Sequence, residues 1–329
     1  MKIGLLFAGQ GSQRAGMGAD FYEEMPAFRA VFDLLPEDKK QLAWNGPEEA
    51  LRETENTQPI MTAFGLGVWS CFREQGLRPD CAAGLSLGEY SALGASGAVD
   101  EDTAIRLVTR RGREMAKAAK GIRCGMTAVL GADPETVESC CEEASEESAF
   151  VQIANYNCPG QIVIAGESGA VDRAAALAKE RGARRCMPLP VSGPFHTQYM
   201  KPAGDAMAEV LGKTAFQAED FPVIHNVTGR PAEAGETIPE LLVRQVSGSV
   251  RFEETIRYML ARGVDTFLEI GPGCALAGFV RKMDRRVKTC SVSTVEDFQA
   301  ALDSLGLSGK TPEGRREKEK EECRKEQQL

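Results

Sequence analysis

Two glycines flank a serine at Gly84-Leu85-Ser86-Leu87-Gly88. In a nucleophile elbow, G-x-S-x-G spacing lets a strand end in a sharp turn with a helix starting directly after it, so the hydroxyl stands exposed. The helix N-terminus then offers backbone N–H groups to a developing oxyanion. A short apolar run near Ala82 precedes Ser86, and a helical pattern from Leu87 to Ala95 follows it. The context is right for a nucleophile, although a chain with 34 glycines also produces this spacing by chance around a turn serine.

A nucleophilic serine needs a base to take its proton. The chain has only two histidines, His196 and His225. His225 is flanked by Val223, Ile224, Asn226 and Val227, the pattern of a packed strand histidine. His196 lies in the turn-rich stretch Val191-Ser192-Gly193-Pro194-Phe195-His196-Thr197, and loops carry a disproportionate share of catalytic groups. Local context alone leaves His196 open between a base and a solvated side chain. Arg110, Arg111 and Arg113, taken by themselves, read as one solvated helix face.

The elements that must position these residues follow from periodicity and punctuation. Lys2 to Phe7 is an opening strand that runs into the glycine loop Gly9-Gln10-Gly11-Ser12-Gln13. Helices are expected over Phe21–Leu35 and over Pro59–Glu74, the second capped by Asn56. Another runs from the N-cap Asp100 to about Lys120 and stops at Gly121. Between Thr127 and Leu189 the order strand, helix, strand, strand, helix, strand forms a ferredoxin-like βαββαβ unit, with Asn155 to Gly160 as the central turn. Beyond it, strands at Val223–Val227, Thr266–Ile270 and Lys288–Val292 alternate with helices over Glu236–Val246, Phe252–Arg262, Cys274–Lys282 and Val295–Leu305. Such alternation predicts a mostly parallel sheet covered on both faces. The expected fold class is α/β: a hydrolase-like core over 1–122 and 192–308, with an inserted ferredoxin-like subdomain over 123–191. Residues 309–329 are charged with no apolar stripe, so a solvated tail is expected there.

Composition narrows the function. A net charge of -9 and a pI near 5.1 give no overall attraction to nucleic acid or to an anionic membrane surface. Ten cysteines are scattered without a C-x-x-C pair or metal-like spacing. No apolar run approaches the roughly 20 residues of a membrane helix, and the opening strand does not read as a signal peptide. A reduced, cytoplasmic protein without metal is the expectation.

Five motifs occur in order: Gly9-Gln10-Gly11-Ser12-Gln13, Gly84-Leu85-Ser86-Leu87-Gly88-Glu89-Tyr90, Asn155-Tyr156-Asn157-Cys158-Pro159-Gly160-Gln161, Gly193-Pro194-Phe195-His196 and Gly271-Pro272-Gly273. Together they resemble the malonyl-CoA:acyl carrier protein transacylases of fatty-acid synthesis and the acyltransferase domains of polyketide synthases, from about Lys2 to Leu305. The resemblance implies that Ser86 is acylated, that His196 is the base, and that a backbone carbonyl rather than an aspartate holds the histidine. By position that carbonyl is Arg251. It further implies an oxyanion hole from the N–H groups of Gln10 and Leu87, and a malonyl carboxylate bound by Arg111, whose planar fork pairs two oxygens as a lysine cannot. Leu85, Asn155 and Phe195 fall in the pocket.

Two departures stand out. Leu85 occupies the place where the family commonly has histidine, and Ala8 precedes Gly9 where proline is common. The implied partners are malonyl-CoA and acyl carrier protein, with no cofactor of the enzyme's own and a monomeric state. A serine hydrolase or thioesterase acting on acyl esters or thioesters is the alternative.

Overall fold

The computed structural model describes residues 1–308. Among the described residues there are ten strands: β1 (Ile3–Phe7), β2 (Cys81–Gly84), β3 (Cys124–Leu130), β4 (Val151–Cys158), β5 (Gln161–Glu167), β6 (Arg185–Pro188), β7 (Val223–Ile224), β8 (Val250–Arg251), β9 (Thr266–Ile270) and β10 (Lys288–Val292). Five of them make a sheet in the order β10-β9-β1-β2-β7, in which every neighbouring pair is parallel. β1 and β9 are buried at every position, because helices cover both faces. The chain winds outward from β1 through β2 to β7, then returns to lay β9 on the opposite side of β1. Loops leaving the C-terminal ends of β1, β2 and β9 therefore meet where the winding reverses, the usual place for a ligand crevice.

The second sheet has the order β6-β3-β5-β4-β8. Its first four strands are antiparallel to their neighbours and, with helices Pro134–Ala144 and Ser168–Glu180, form the expected ferredoxin-like unit. β8 adds to β4 in parallel, so this sheet recruits residues from beyond the βαββαβ segment. Alternation along β5 sets its two faces. Ile162 and Ile164 pack under the two helices, whereas Val163 and Ala165 join the main core.

Helix Glu101–Ala119 begins where the Asp100 side chain accepts the Thr103 N–H at 2.6 Å. Its buried stripe includes Ala104, Ile105, Leu107, Val108 and Arg111, so Arg111 sits on the core face and not on a solvated one. Arg110 stays at the surface and pairs with Glu114 at 2.9 Å.

Several boundaries differ from expectation. The Phe21–Leu35 pattern is two helices, Ala19–Glu24 and Pro26–Phe32, because Pro26 has no N–H to continue the first. The next long helix starts at Thr54, takes Pro59 into its interior and gives Asn56 no capping role. β4 continues through Asn155 to Cys158 with two register shifts, leaving only Pro159 and Gly160 as the turn. The strand expected over Val223–Val227 ends at Ile224, and helix Lys201–Gly212 is an additional element. The tail expected over 309–329 lies outside the described residues. Among the described residues no helix is long and apolar enough to cross a membrane.

Candidate active site

Ser86 follows β2 at the crest of a turn whose two glycines admit no side chain. A Cβ on Gly84 would lie 2.0 Å from the Gly88 carbonyl carbon, and one on Gly88 would lie 2.3 Å from the Phe7 oxygen. Ser86 has φ 56° and His196 φ 60°; among the described residues they are the only non-glycine residues with positive φ. Such backbone persists only where its surroundings impose it. Here Asn226 Oδ1 accepts the Ser86 N–H at 2.7 Å, while Asn226 Nδ2 donates to Gly84 O at 2.7 Å. Gln245 Nε2 donates to the Ser86 carbonyl at 2.8 Å.

The two strained residues meet. Ser86 Oγ lies 2.7 Å from His196 Nε2. His196 Nδ1 is 2.9 Å from the Gln245 carbonyl oxygen and 3.2 Å from that of Gly248. Carbonyls only accept, so Nδ1 carries the proton and Nε2 presents its lone pair to the serine. Both carbonyls come from the C-terminal end of helix Ile238–Ser247, where the last oxygens have no intrahelical partner. This corrects the assignment to Arg251. The Arg251 carbonyl accepts the Thr255 hydroxyl at 3.1 Å and its N–H donates to Asn226 O at 2.7 Å, because β8 has by then turned toward β4.

His196 is buried, and burial pushes its pKa down to about 4, with the Arg111 charge acting in the same direction; the hydrogen bonds to Gln245 and Gly248 oppose the shift. The imidazole is thus neutral at pH 7 and able to accept a proton.

Arg111 is 1% exposed. Its Nη1 donates to Gln58 Oε1 at 2.9 Å, and its Nη2 donates to Gln245 Oε1 at 2.8 Å and to Ser86 Oγ at 3.1 Å. The guanidinium also lies over the Tyr90 ring, 5.6 Å from its centroid. None of these partners is a carboxylate. Arg111 Nε has no hydrogen-bond partner at all among the described residues. Burial lowers the pKa of the group, yet an arginine stays protonated at neutral pH, so a buried positive charge faces the serine with donor capacity to spare.

A cavity of about 400 Å³ opens in front of the dyad, with Gln10, Leu85, Asn155 and Phe195 in its walls. The backbone N–H groups of Gln10 and Leu87 donate to no backbone oxygen among the described residues. Gln10 Oε1 accepts the Thr54 hydroxyl at 2.9 Å, and Thr54 in turn accepts Gln58 Nε2 at 2.9 Å, which ties the loop after β1 to Arg111. Leu85, in place of histidine, packs on Gly9, where an added Cβ would lie 2.6 Å from its carbonyl.

Gln58, Asn226 and Gln245 are residues that sequence reasoning did not single out. A glutamine within an apolar helical stretch was the available signal for Gln58 and Gln245. His225 is buried, but at a turn beside β7 and not inside a strand; its Nδ1 lies 2.8 Å from Glu89 Oε1.

With this geometry in hand, comparison with known proteins is specific. The acyl transferase domain family matches residues 5–299. The malonyl CoA-acyl carrier protein transacylase of Bacillus subtilis is 44% identical over 308 residues, covering 92% of this chain and 97% of the relative. That of Escherichia coli K12 is 38% identical over 311 residues, 93% and 99% of the two chains. The crystal structure of the Clostridium perfringens transacylase superposes with a TM-score of 0.87 at 40% identity, over 93% of this chain and 97% of that one. A malonyl-transacylase solved in complex with a type II polyketide synthase acyl-carrier protein gives 0.88 at 38% identity, covering 92% of this chain and 100% of that one. The chain belongs to the acyl transferase family, where its relatives are malonyl CoA-acyl carrier protein transacylases.

Proposed function

We propose that this protein moves a malonyl group from malonyl-CoA to the phosphopantetheine thiol of an acyl carrier protein through a malonyl-serine intermediate. In the first half-reaction His196 Nε2 takes the proton of Ser86 as Oγ attacks the thioester carbonyl. The N–H groups of Gln10 and Leu87 receive the tetrahedral oxyanion. Collapse breaks the C–S bond, and the imidazolium returns its proton to the departing CoA sulfur. In the second half-reaction the carrier thiol gives its proton to His196 and attacks the acyl-serine; collapse restores the Ser86 hydroxyl with that proton. Every group these steps need belongs to the chain or to its two substrates.

The observation that carries the choice of acyl group is Arg111. A buried guanidinium held by two glutamine oxygens, with Nε free and no carboxylate hydrogen-bonded to it among the described residues, is a charge that a substrate carboxylate satisfies. An acetyl group has nothing to offer it and is disfavoured. The Nδ1 contact to backbone oxygen speaks against the hydrolase alternative, whose histidine is usually held by an acidic side chain.

The experiment is Arg111→Ala, assayed on malonyl-CoA and acetyl-CoA. The expected result is a loss of roughly 100-fold or more in malonyl transfer, the scale of two lost hydrogen bonds to a charged group, and a far smaller loss with acetyl. Equal losses would remove the assigned role. We place the activity in the cytoplasm; the nine cysteines among the described residues are all free thiols, which suits a reducing compartment.

A further inference from the structure

Behind the elbow lies a carboxylate that the two half-reactions do not use. Glu89 stands in the first turn of helix Gly88–Ala95, fully buried. Its Oε1 faces His225 Nδ1 at 2.8 Å, and its Oε2 accepts the Asn226 N–H at 3.0 Å and Gln245 Nε2 at 3.0 Å. Asn226 and Gln245 are the same two residues that clasp the strained Ser86 backbone.

The Gln245 amide has three polar neighbours. The Glu89 carboxylate and the Ser86 carbonyl only accept, while Arg111 only donates. One orientation satisfies all three, with Nε2 toward Glu89 and Ser86 and Oε1 toward Arg111. The reversed amide would set donor against donor at Arg111 and oxygen against oxygen at the other two. Since the Gln245 carbonyl also holds His196, this single residue touches nucleophile, base and guanidinium.

We infer that Glu89 is a positioning residue that acts through Gln245 to hold the Arg111 guanidinium ready for the acyl carboxylate; this rests on the anchoring role proposed for Arg111. His225 sits on the other carboxylate oxygen, Oε1, away from the Gln245 contact. Burial lowers its pKa, but the hydrogen bond and charge of Glu89, with the charges of Glu219 and Glu236, outweigh burial and raise it.

The test is a double-mutant cycle, read as the ratio of malonyl to acetyl acylation of Ser86 by intact mass. Glu89→Met removes the acceptor and should lower that ratio by roughly tenfold, the worth of one hydrogen bond to a charged group. Gln245→Met should lower it at least as much, and adding Glu89→Met to it should change the ratio no further. His225→Gln disturbs the same buried pair yet keeps the Glu89 carboxylate, so the ratio should stay within about twofold of wild type. Additive effects in the cycle, an unchanged ratio in Glu89→Met, or an equal fall in His225→Gln would overturn the inference. If Glu89→Met does not fold, neutron diffraction on the wild-type protein decides: Gln245 amide deuterons between Glu89 and Ser86 support it, and deuterons toward Arg111 refute it. Arg111→Ala keeps the two claims apart. If that variant retains the malonyl preference, the anchoring role itself fails; if it loses the preference while Glu89→Met keeps it, only the Glu89 inference fails.

Discussion

The two histidines of this chain are both buried, and their surroundings drive them in opposite directions. His196 is buried beside Arg111, and its hydrogen bonds to two neutral carbonyls offset only part of the cost of charging it, so its pKa falls to about 4. His225 lies against the Glu89 carboxylate and its pKa rises. Burial is common to both; the sign of the nearest charge differs. A base that must be neutral before it receives a proton gains from a neighbouring cation, and a structural cation gains from a neighbouring anion.

The difference is broken most severely by exchanging the roles. His196→Ala should slow Ser86 acylation by about 10²–10⁴-fold, the usual worth of a positioned base, with little loss of stability. His225→Gln should do the reverse: acylation close to wild type, with unfolding made easier by about 3–5 kcal/mol because a buried pair has lost one partner. Stopped-flow acylation and denaturant unfolding of both variants check this, and equal effects on rate would dissolve the contrast.

The pH dependence of stability sharpens the same comparison. A histidine whose folded pKa is depressed contributes stability that is present above its unfolded value near 6.5 and is lost as pH falls toward about 4. One whose folded pKa is raised contributes stability that is full below 6.5 and is lost as pH rises through the raised value. The stability gap between wild type and His196→Gln should therefore close as pH falls from neutrality toward 4. The gap for His225→Gln should close as pH rises above 6.5. Urea midpoints across that range measure both, and gaps moving in the same direction would contradict the assigned environments.

The smallest effect belongs to Arg251. Its side chain pairs with Glu254 at the surface and its carbonyl serves Thr255, so Arg251→Ala should change acylation by less than about twofold. A large loss would return it to the site.

What could be read in the sequence follows from how far each residue's role depends on the fold. Ser86 announced itself through glycines two residues away, and His196 through the scarcity of histidine. Arg111 needed the family resemblance, because three arginines within four positions give no local sign of which one faces inward. Gln58, Gln245, Asn226 and the acceptor carbonyls act across separations of about 50 residues or more, which local pattern does not reach. In the main sheet the strands were legible, with the five-residue β9 and β10 matching at both ends. β8 has two residues and no period to detect. β4 was cut short because Asn155 and Asn157 look like turn residues, yet their side chains line the cavity wall from within a bulged strand.

The central claim is that Ser86 carries the acyl group between two thiols. Intact mass of the protein after incubation with malonyl-CoA tests it most directly. The expected result is a gain of one malonyl group, absent in Ser86→Ala and removed when holo acyl carrier protein is added, with the carrier gaining the same mass. No adduct, an adduct that survives Ser86→Ala, or release to water at the same rate without the carrier would contradict it.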